Sequence, residues 1–574
     1  MKFTDAMNKS KVKWGVAAIA AAVVLGVGFM GTGERDFEMS KNLDIYHTLF
    51  RELSIYYVDE IDAGDLVKKS IDEMLKSLDP YTVYIPESDI EDFRFMTTGQ
   101  YGGIGAYIHS KGKYVEVNEP IADAPAAQAG IRAGDIIKEI DGRDIADMKS
   151  EDVSELLKGE PKSKVVLTVE TPFTGQLRKV EIIRQKIKVK SVPYYGMVAD
   201  GIGYIHLNNF TENCSQEVKE ALLSLKKNNQ LRGLVLDLRG NPGGLLNEAI
   251  NVSNIFVGKG QEIVSTKGKV KMWNKTYYST SEPVDTEIPL AVLVNSGSAS
   301  ASEIVSGVIQ DLDRGVIVGT RSYGKGLVQT TRDLSYNTKL KLTTAKYYIP
   351  SGRCIQALDY SHRNADGSVG KVPDSLITKF QTRAGRDVYD GGGVLPDVKV
   401  EPEMMSNITY SLYSKNLIFD YATLYAQKHP SICEPEKFAL SDADYADFTS
   451  FLADKSYDYK LESEKLIADL EKAVKRESHT DAIESDLQQL RDKLAHNKEQ
   501  DLKTHQAEIS MLLQEEIASR YYYQEGRAKA QLPADSTLIK AVAVLNNPDE
   551  YKRLLSPAAK TDAQPDGANS EPRK

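Results

Sequence analysis

The spacing of apolar residues changes several times along the chain and divides it into segments. Between residues 37 and 98 apolar side chains recur every three or four positions, as in Leu43, Tyr46 and Leu49, which is the spacing of an amphipathic helix. A second helix of this kind stops before Pro80, since proline excludes helical backbone in the residue before it. We predict a small N-terminal helical module without distinctive chemistry.

Residues 99–178 read as short strands, a hairpin turn and one helix, which predicts a small β domain. The opening glycines are not a dinucleotide fingerprint, because Ile108 stands where the third glycine belongs and a strand follows. Such a loop can instead turn several backbone N–H groups toward the carboxylate of an extended peptide. The candidate peptide-binding loop is Gly102, Gly103, Ile104 and Gly105.

Residues 179–403 alternate apolar strands with helices. The strand GLVLDL is apolar enough to be buried on both faces, as parallel strands are. At residues 289–329 an apolar strand, a helix entered through small residues and a second apolar strand form a βαβ unit. Ligands bind such units where strands end and helices begin, and both Ser300 and Lys325 lie at that edge.

Beyond residue 403 the chain is charged and helical. Leu466, Leu470 and Val474 keep helical spacing, so residues 404–555 are predicted to pack as a helical domain rather than to be disordered. A coiled coil is the alternative, although strict heptads are not sustained. The composition of residues 556–574 predicts a disordered tail.

An apolar run at residues 15–31 follows several lysines and precedes Glu34. A buried core helix and a removed signal peptide are alternatives, but no clear A-x-A cleavage site follows the run. We predict that residues 1–36 hold an uncleaved signal anchor. The positive-inside rule then places the remaining chain outside the cytoplasm, so we expect a periplasmic protein anchored in the inner membrane.

Composition narrows the function classes. The 574 residues suggest several domains, and 41% hydrophobic with 27% charged residues is typical of folded soluble protein. A net charge of -10 gives no basic footprint for nucleic acid. Three scattered cysteines and eight unpaired histidines suggest neither a disulfide framework nor a metal site. We expect no cofactor.

The candidate chemistry is a serine nucleophile with a lysine base. Four serines alternate with small residues at positions 296–302, and their chemistry alone does not single out one of them. A lysine base must be neutral, although the ordinary lysine pKa is about 10.4, and burial can lower it. Gln329 would share a face with Lys325 if the intervening segment is extended, and it could orient the amine without adding charge.

Two stretches resemble known families. The loop GGIG, the segment AGIRAGDII and an Asp-Gly hairpin resemble a PDZ domain, which implies recognition of peptide C-termini; a domain that only spaces its neighbours is the alternative. The motifs NSGSASASEI, GKG, DLRGNPGG and GVLPD resemble the carboxyl-terminal processing peptidases, or tail-specific proteases. This second resemblance spans residues 37–403.

The peptidase resemblance implies a crotonase/ClpP-like α/β protease core. The predicted fold class is therefore multidomain α+β: that core, a PDZ-like β domain, an N-terminal helical module and a C-terminal helical domain. In the family pattern the nucleophile matches Ser300, the general base matches Lys325 and the orienting glutamine matches Gln329. The backbone donors of the oxyanion hole match Gly243 and Ala301. A core that keeps the fold without the chemistry is the alternative.

The chain departs from the simpler family pattern by an insertion at residues 357–390, for which we considered a lid or a substrate-contacting arm. The sequence thus predicts a serine endopeptidase that processes or degrades exported proteins, recognises their free C-terminal ends and forms homo-oligomers through its helical modules. The alternative function is a membrane-tethered scaffold that binds C-terminal peptides without cutting them.

Overall fold

The computed structural model describes residues 36–557, except for 229, 365, 403, 477–482, 484 and 491–497. Up to Tyr84 the chain forms a unit of its own, with helix α1 at residues 36–56 and helix α2 at Ala63–Lys76. The predicted anchor at residues 15–31 lies outside the described residues. Among the residues that are described, no helix combines the length and apolarity needed to cross a membrane. The prediction of an inner-membrane anchor is therefore corrected.

The second unit begins with a short helix and the β domain. Its six-stranded antiparallel sheet has the order β3-β4-β5-β7-β8, with β6 paired to β5, so that β3 is an edge strand facing helix α5. Val117, Ile137 and Leu167 lie in its core with no exposed surface. The elements are β1 (Val83–Ile85, at the boundary of the units), α3 (Ile90–Thr98), β2 (Gln100–Gly103), β3 (Ala106–Lys111), β4 (Tyr114–Pro120), α4 (Pro125–Gln128), β5 (Ile136–Ile140), β6 (Arg143–Asp144), α5 (Ser150–Leu157), β7 (Lys164–Glu170), β8 (Leu177–Ile183) and β9 (Gln185–Lys188).

A six-stranded sheet of order β10-β11-β12-β15-β16-β23 forms the α/β core. The β10 strand is antiparallel to its neighbour and the others are parallel. The elements of this core are β10 (Tyr194–Ala199), β11 (Ile202–His206), α6 (Cys214–Asn228), β12 (Gly233–Asp237), α7 (Leu246–Phe256), β13 (Glu262–Gly268), β14 (Lys275–Tyr278), β15 (Leu290–Val294), α8 (Ala301–Asp311), β16 (Val316–Gly319), β17 (Leu327–Asp333), β18 (Lys339–Tyr348) and β23 (Val398–Lys399).

The insertion at residues 357–390 forms two small hairpins, which pair β19 (Leu358–Arg363) with β20 (Val369–Lys371) and β21 (Lys379–Gln381) with β22 (Asp387–Tyr389). Arg386 ties the second hairpin to the core, with its guanidinium 2.6 Å from the carboxylates of Asp313 and Asp397. Two carboxylates around one largely buried guanidinium hold the hairpin in a fixed place.

The C-terminal helices pack around a core that contains Leu412, Tyr421, Phe448 and Leu513. Partly buried ion pairs join them to the β domain, as where Lys111 contacts Asp420 at 2.8 Å. The helices are α9 (Asn407–Ser414), α10 (Leu417–Lys428), α11 (Asp442–Phe451), α12 (Glu462–Arg476), α13 (Lys498–Thr504), α14 (Gln506–Gln531), α15 (Ser536–Leu545) and α16 (Pro548–Leu554).

Helix α15 belongs to the packing of the α/β core. Alternate residues of the parallel strands point to opposite faces of the sheet: Leu236 packs against helices α6 to α8, whereas Val235 packs against Ala541 and Val544 of α15. The continuous apolar run of β12 thus buries both of its faces, as predicted. Next to this contact, the guanidinium of Arg239 bridges Asp237, which is buried, and Asp535, which caps α15.

Candidate active site

A cavity of about 500 Å³ lies at the carboxyl ends of the parallel strands, where the loops after β12, β15 and β16 meet. Phe95 and Met96 of helix α3 cover one side of it. The cavity brings together all five residues that the sequence assigns to the chemistry, and these are Gly243, Ser300, Ala301, Lys325 and Gln329.

The structure distinguishes the four serines at positions 296–302. Ser296 is exposed and lies outside the cavity lining. Ser298 and Ser302 are buried, and their hydroxyls donate to the backbone carbonyls of Leu238 at 2.8 Å and Asn241 at 2.9 Å. Ser300 is the member of the group whose side chain is partly exposed and lines the cavity.

Ser300 stands at a sharp turn directly before helix α8, with φ 56° and ψ -110°. A positive φ is costly for a residue with a side chain and persists only where its surroundings hold it. The N–H of Ser300 donates to the Glu303 carboxylate at 2.9 Å. Every residue of α8 from Ala301 to Asp311 is buried, so the turn rests on a fixed element.

The Glu303 carboxylate joins the turn of Ser300 to the loop of Lys325. It has no exposed surface, and it accepts hydrogen bonds from the backbone N–H groups of Gly324 at 2.7 Å and Lys325 at 2.8 Å, and from the Ser322 hydroxyl at 2.5 Å. Burial raises the pKa of Glu303, and these hydrogen bonds oppose the rise.

Tyr347 makes a second link between the same two residues. Its buried hydroxyl donates to the carbonyl of Lys325 at 2.6 Å and to that of Ser300 at 3.1 Å. Burial raises the pKa of Tyr347 well above that of a free tyrosine, so the phenol stays protonated and keeps donating. Both links use backbone groups and leave the side chains of Ser300 and Lys325 toward the cavity.

The glycines around Lys325 permit a close approach to the segment after Arg353. A methyl group on Gly324 would lie 2.4 Å from the Ala357 side chain, and one on Gly326 would lie 2.8 Å from the Gln356 nitrogen. Gly324 also has φ 89°, a region that favours glycine. Lys325 itself is partly buried.

Gln329 lies in the cavity together with Lys325. Opposite Val328 and Gln329, the neighbouring strand β18 carries one extra residue, Thr344, as a bulge, whereas β17 continues without one. The Gln329 amide nitrogen donates to the Thr343 hydroxyl at 3.1 Å, which fixes the orientation of the amide.

The two predicted oxyanion donors come together at the nucleophile turn. A methyl group on Gly243 would lie 2.8 Å from Ser300 Cβ and 2.9 Å from the Ala301 nitrogen. The Gly243 N–H donates to the side chain of Asn241 at 2.9 Å. Asn241 is buried, and its own carbonyl accepts from the N–H of Ala299. This asparagine therefore fastens the glycine turn to the loop that carries the serine.

The β domain carries a groove of about 390 Å³ between the edge strand β3 and helix α5. Of the predicted peptide-binding loop, Ile104 lines this groove, whereas Gly102, Gly103 and Gly105 are absent from its described lining. The reason is that Gly102 and Gly103 belong to β2 and pair with β9, and Gly105 turns tightly against a neighbouring alanine. Phe95 of α3 lines both this groove and the cavity that contains Ser300.

Sequence reasoning missed four residues that position the site. Glu303 had a signal, because a glutamate three residues after a serine before an apolar run is a capping box. Asn241 stood in a turn that was considered only for its glycines. Tyr347 and Thr343 carried no usable signal, since their partners lie at least fourteen residues away. No described residue of the insertion lines the cavity, so its role as a lid or a substrate-contacting arm stays a prediction.

Comparison with known proteins adds the family. The sequence model of "Peptidase family S41" matches residues 201–362, "PDZ domain" matches residues 116–171, and "Probable PDZ-protease, C-terminal helical domain" matches residues 408–545. A "Carboxy-terminal-processing protease" of Bartonella bacilliformis is 38% identical over 347 residues, which are 60% of this chain and 79% of the relative. A "Probable CtpA-like serine protease" of Staphylococcus saprophyticus is 35% identical over 410 residues, covering 70% and 80%.

Among solved structures, the photosystem II D1 C-terminal processing protease is 30% identical, with 62% of this chain and 92% of that chain covered and a TM-score of 0.34. The PDZ domain of the carboxy-terminal protease from Vibrio cholerae, solved with a peptide, is 30% identical, covering 16% and 99% with a TM-score of 0.15.

A PDZ domain joined to an α/β peptidase core, with helical segments on both sides, defines a multidomain serine-type peptidase. The chain belongs to peptidase family S41, among the carboxy-terminal-processing proteases. The fold class and the family expected from sequence are confirmed, and the alternative of a scaffold that does not cut is set aside.

Proposed function

We propose that the protein is an endopeptidase that cleaves peptide bonds with a Ser300-Lys325 dyad and selects substrates by their free C-termini. One observation carries the proposal: Ser300 is the serine of its group that lines the cavity, and two buried side chains fasten its turn to that of Lys325. The expectation that the substrates are exported proteins rests on residues outside those described and forms no part of the proposal.

In the proposed reaction Ser300 Oγ attacks the peptide carbonyl while Lys325 Nζ takes its proton. The same amine later gives the proton to the departing nitrogen, and water then releases the acyl group from Ser300. Gln329, held by Thr343 through its amide nitrogen, offers its carbonyl oxygen to the lysine amine. Because an oxyanion hole needs donors aimed at the charge, Gly243 N–H must exchange its bond to Asn241 for one to the oxyanion.

Trapping the acyl-enzyme tests this chemistry. We expect an acid quench during turnover of an unfolded protein substrate to leave an acyl group on the Ser300-containing peptide, detected by mass spectrometry. The buried hydroxyls of Ser298 and Ser302 already donate to carbonyls and should stay unmodified. An adduct on either of them in place of one on Ser300 would contradict the assignment.

The PDZ domain supplies the proposed selection of C-termini. Strand β3 is an edge strand, and an extended peptide can add to it as a further strand while its side chains enter the groove beside α5. The backbone N–H of Ile104, the member of the predicted loop that lines the groove, is the candidate for holding the terminal carboxylate, in place of the full glycine loop expected from sequence.

Helix α1 supports a proposed association between copies of the chain. Its large apolar side chains are exposed, including Leu43 at 62% and Leu49 at 54%, and such surfaces are typically covered by a partner. We expect light scattering to give an oligomer for the wild type and a smaller mass for Leu43→Glu/Leu49→Glu. Asn42→Glu is the control on the same helix, and equal masses for all three would exclude α1 as the interface.

A further inference from the structure

The catalytic cavity contains a second lysine that the proposed reaction does not use. Lys341 of β18 lines the cavity and pairs in register with Thr331 of β17. Since residues two apart on a strand share a face, Lys341 lies on the same face as Thr343, which bonds Gln329. One strand face therefore carries both this lysine and the side chain that holds Gln329.

The charged side chains around this lysine are all basic. The charged side chains that line the cavity are Lys190, Lys325 and Lys341, and no carboxylate is among the described lining residues. Lys341 forms no ion pair within the described chain, whereas Lys339, two positions earlier, pairs with Asp333. Burial lowers the pKa of Lys341. A partly desolvated ammonium without a counter-charge is unfavourable, and a carboxylate brought to it relieves that cost.

We propose that Lys341 binds a carboxylate of the peptide substrate and thereby sets a preference for acidic groups near the cleaved bond. This inference rests on the proposed function. The step from Thr343 to Lys341 along the strand is about 7 Å, so the carboxylate belongs to a residue only a few positions from the scissile bond. It is either the free C-terminus of a short tail or the side chain of an aspartate or glutamate.

Matched peptides distinguish these sources. One pair carries a C-terminal carboxylate or amide a few residues beyond the bond, and a second pair, amidated at its end, carries aspartate or asparagine there. We expect the wild type to prefer the carboxylate member of one pair by about tenfold, mainly through KM, as charge-assisted hydrogen bonds do. Lys341→Met should remove that preference, and Lys341→Arg should keep it.

Lys339→Met is the control, because it removes a lysine from the same strand outside the cavity lining. Every variant has the same PDZ groove and is given the same peptides, so the contribution of this groove to peptide binding cancels when preferences are compared between variants. Loss of preference in the first pair identifies the terminal carboxylate, and loss in the second pair identifies the side chain. If Lys341→Met keeps the preference for the carboxylate member of both pairs, the inference is overturned. It is also overturned if Lys341→Met cleaves the carboxylate and the neutral peptides less well by the same factor.

A failure of the proposed function would be recognised separately. If the wild type cleaves none of the peptides, the dyad proposal fails, and binding of fluorescent peptides to Ser300→Ala and to Ser300→Ala/Lys341→Met still tests Lys341. We expect the second protein to bind the carboxylate peptide about tenfold more weakly and the neutral peptide equally. If cleavage is normal but both proteins bind alike, only the role of Lys341 is refuted.

Discussion

Replacement of Ser300 with alanine is expected to lower kcat/KM toward an unfolded protein substrate by at least about 10⁴-fold, the scale seen when a nucleophile is removed from a serine peptidase. The change deletes only Oγ. The hydrogen bonds that fix the turn use the backbone N–H and carbonyl of residue 300. Alanine keeps both groups and adopts the same backbone conformation as serine. Thermal unfolding should therefore be unchanged within a few degrees.

Ser296→Ala is the matched control, since Ser296 is exposed and does not line the cavity. We expect it to cleave at the wild-type rate. Cleavage should be followed by gel and mass spectrometry on proteins purified identically. Equal rates for Ser300→Ala and the wild type would refute Ser300 as the nucleophile.

Lys325→Met is expected to lower kcat by about 10³- to 10⁴-fold, because the change removes the general base while keeping an unbranched side chain. Substrate affinity should change little, since the loss concerns proton transfer. Lys346→Met provides the control, as Lys346 is exposed and lies outside the cavity lining. A variant at 325 that keeps more than a tenth of the wild-type kcat would show that another group serves as base.

The pH profile adds a second measurement. Activity should fall on acidification, because a protonated lysine cannot accept the serine proton. The raised pKa of Glu303 acts in the same direction, since a protonated carboxyl group loses part of its capacity to accept the backbone N–H groups. Glu303→Gln separates the two effects. Tyr347 stays protonated throughout because burial raises its pKa, so the rising limb does not report the phenol.

The sequence could place Ser300 and Lys325 at one edge of the sheet, because strand ends and helix starts are visible in the apolar pattern. It could not choose among four serines by chemistry. That choice follows in the structure from where the neighbouring hydroxyls go, as those of Ser298 and Ser302 donate to carbonyls on other loops. Bonds to distant carbonyls leave no local signature in sequence.

Regular spacing was a good guide to helices and strands and a poor guide to detail within them. Counting in twos placed Gln329 with Lys325, and both line the cavity, but it gave no sign of the extra residue Thr344 in the paired strand β18. The glycines of the β domain suggested a loop of free N–H groups, yet Gly102 pairs within a strand, and its missing side chain leaves room for the Gly159 carbonyl. Both differences arise from pairing partners remote in the chain.

The packing of α15 beneath the parallel sheet bears on when the enzyme becomes competent during synthesis. Strand β12 leaves the ribosome long before residues 536–545, so one face of the protease sheet is uncovered until α15 has been made. The salt bridge between Arg239, in the turn that leads to Gly243, and Asp535 forms at that same late moment. A nascent chain that lacks α15 therefore already carries Ser300 and Lys325, but the turn that leads to Gly243 is not yet fixed. We expect cleavage activity to appear only after α15 has packed against the sheet.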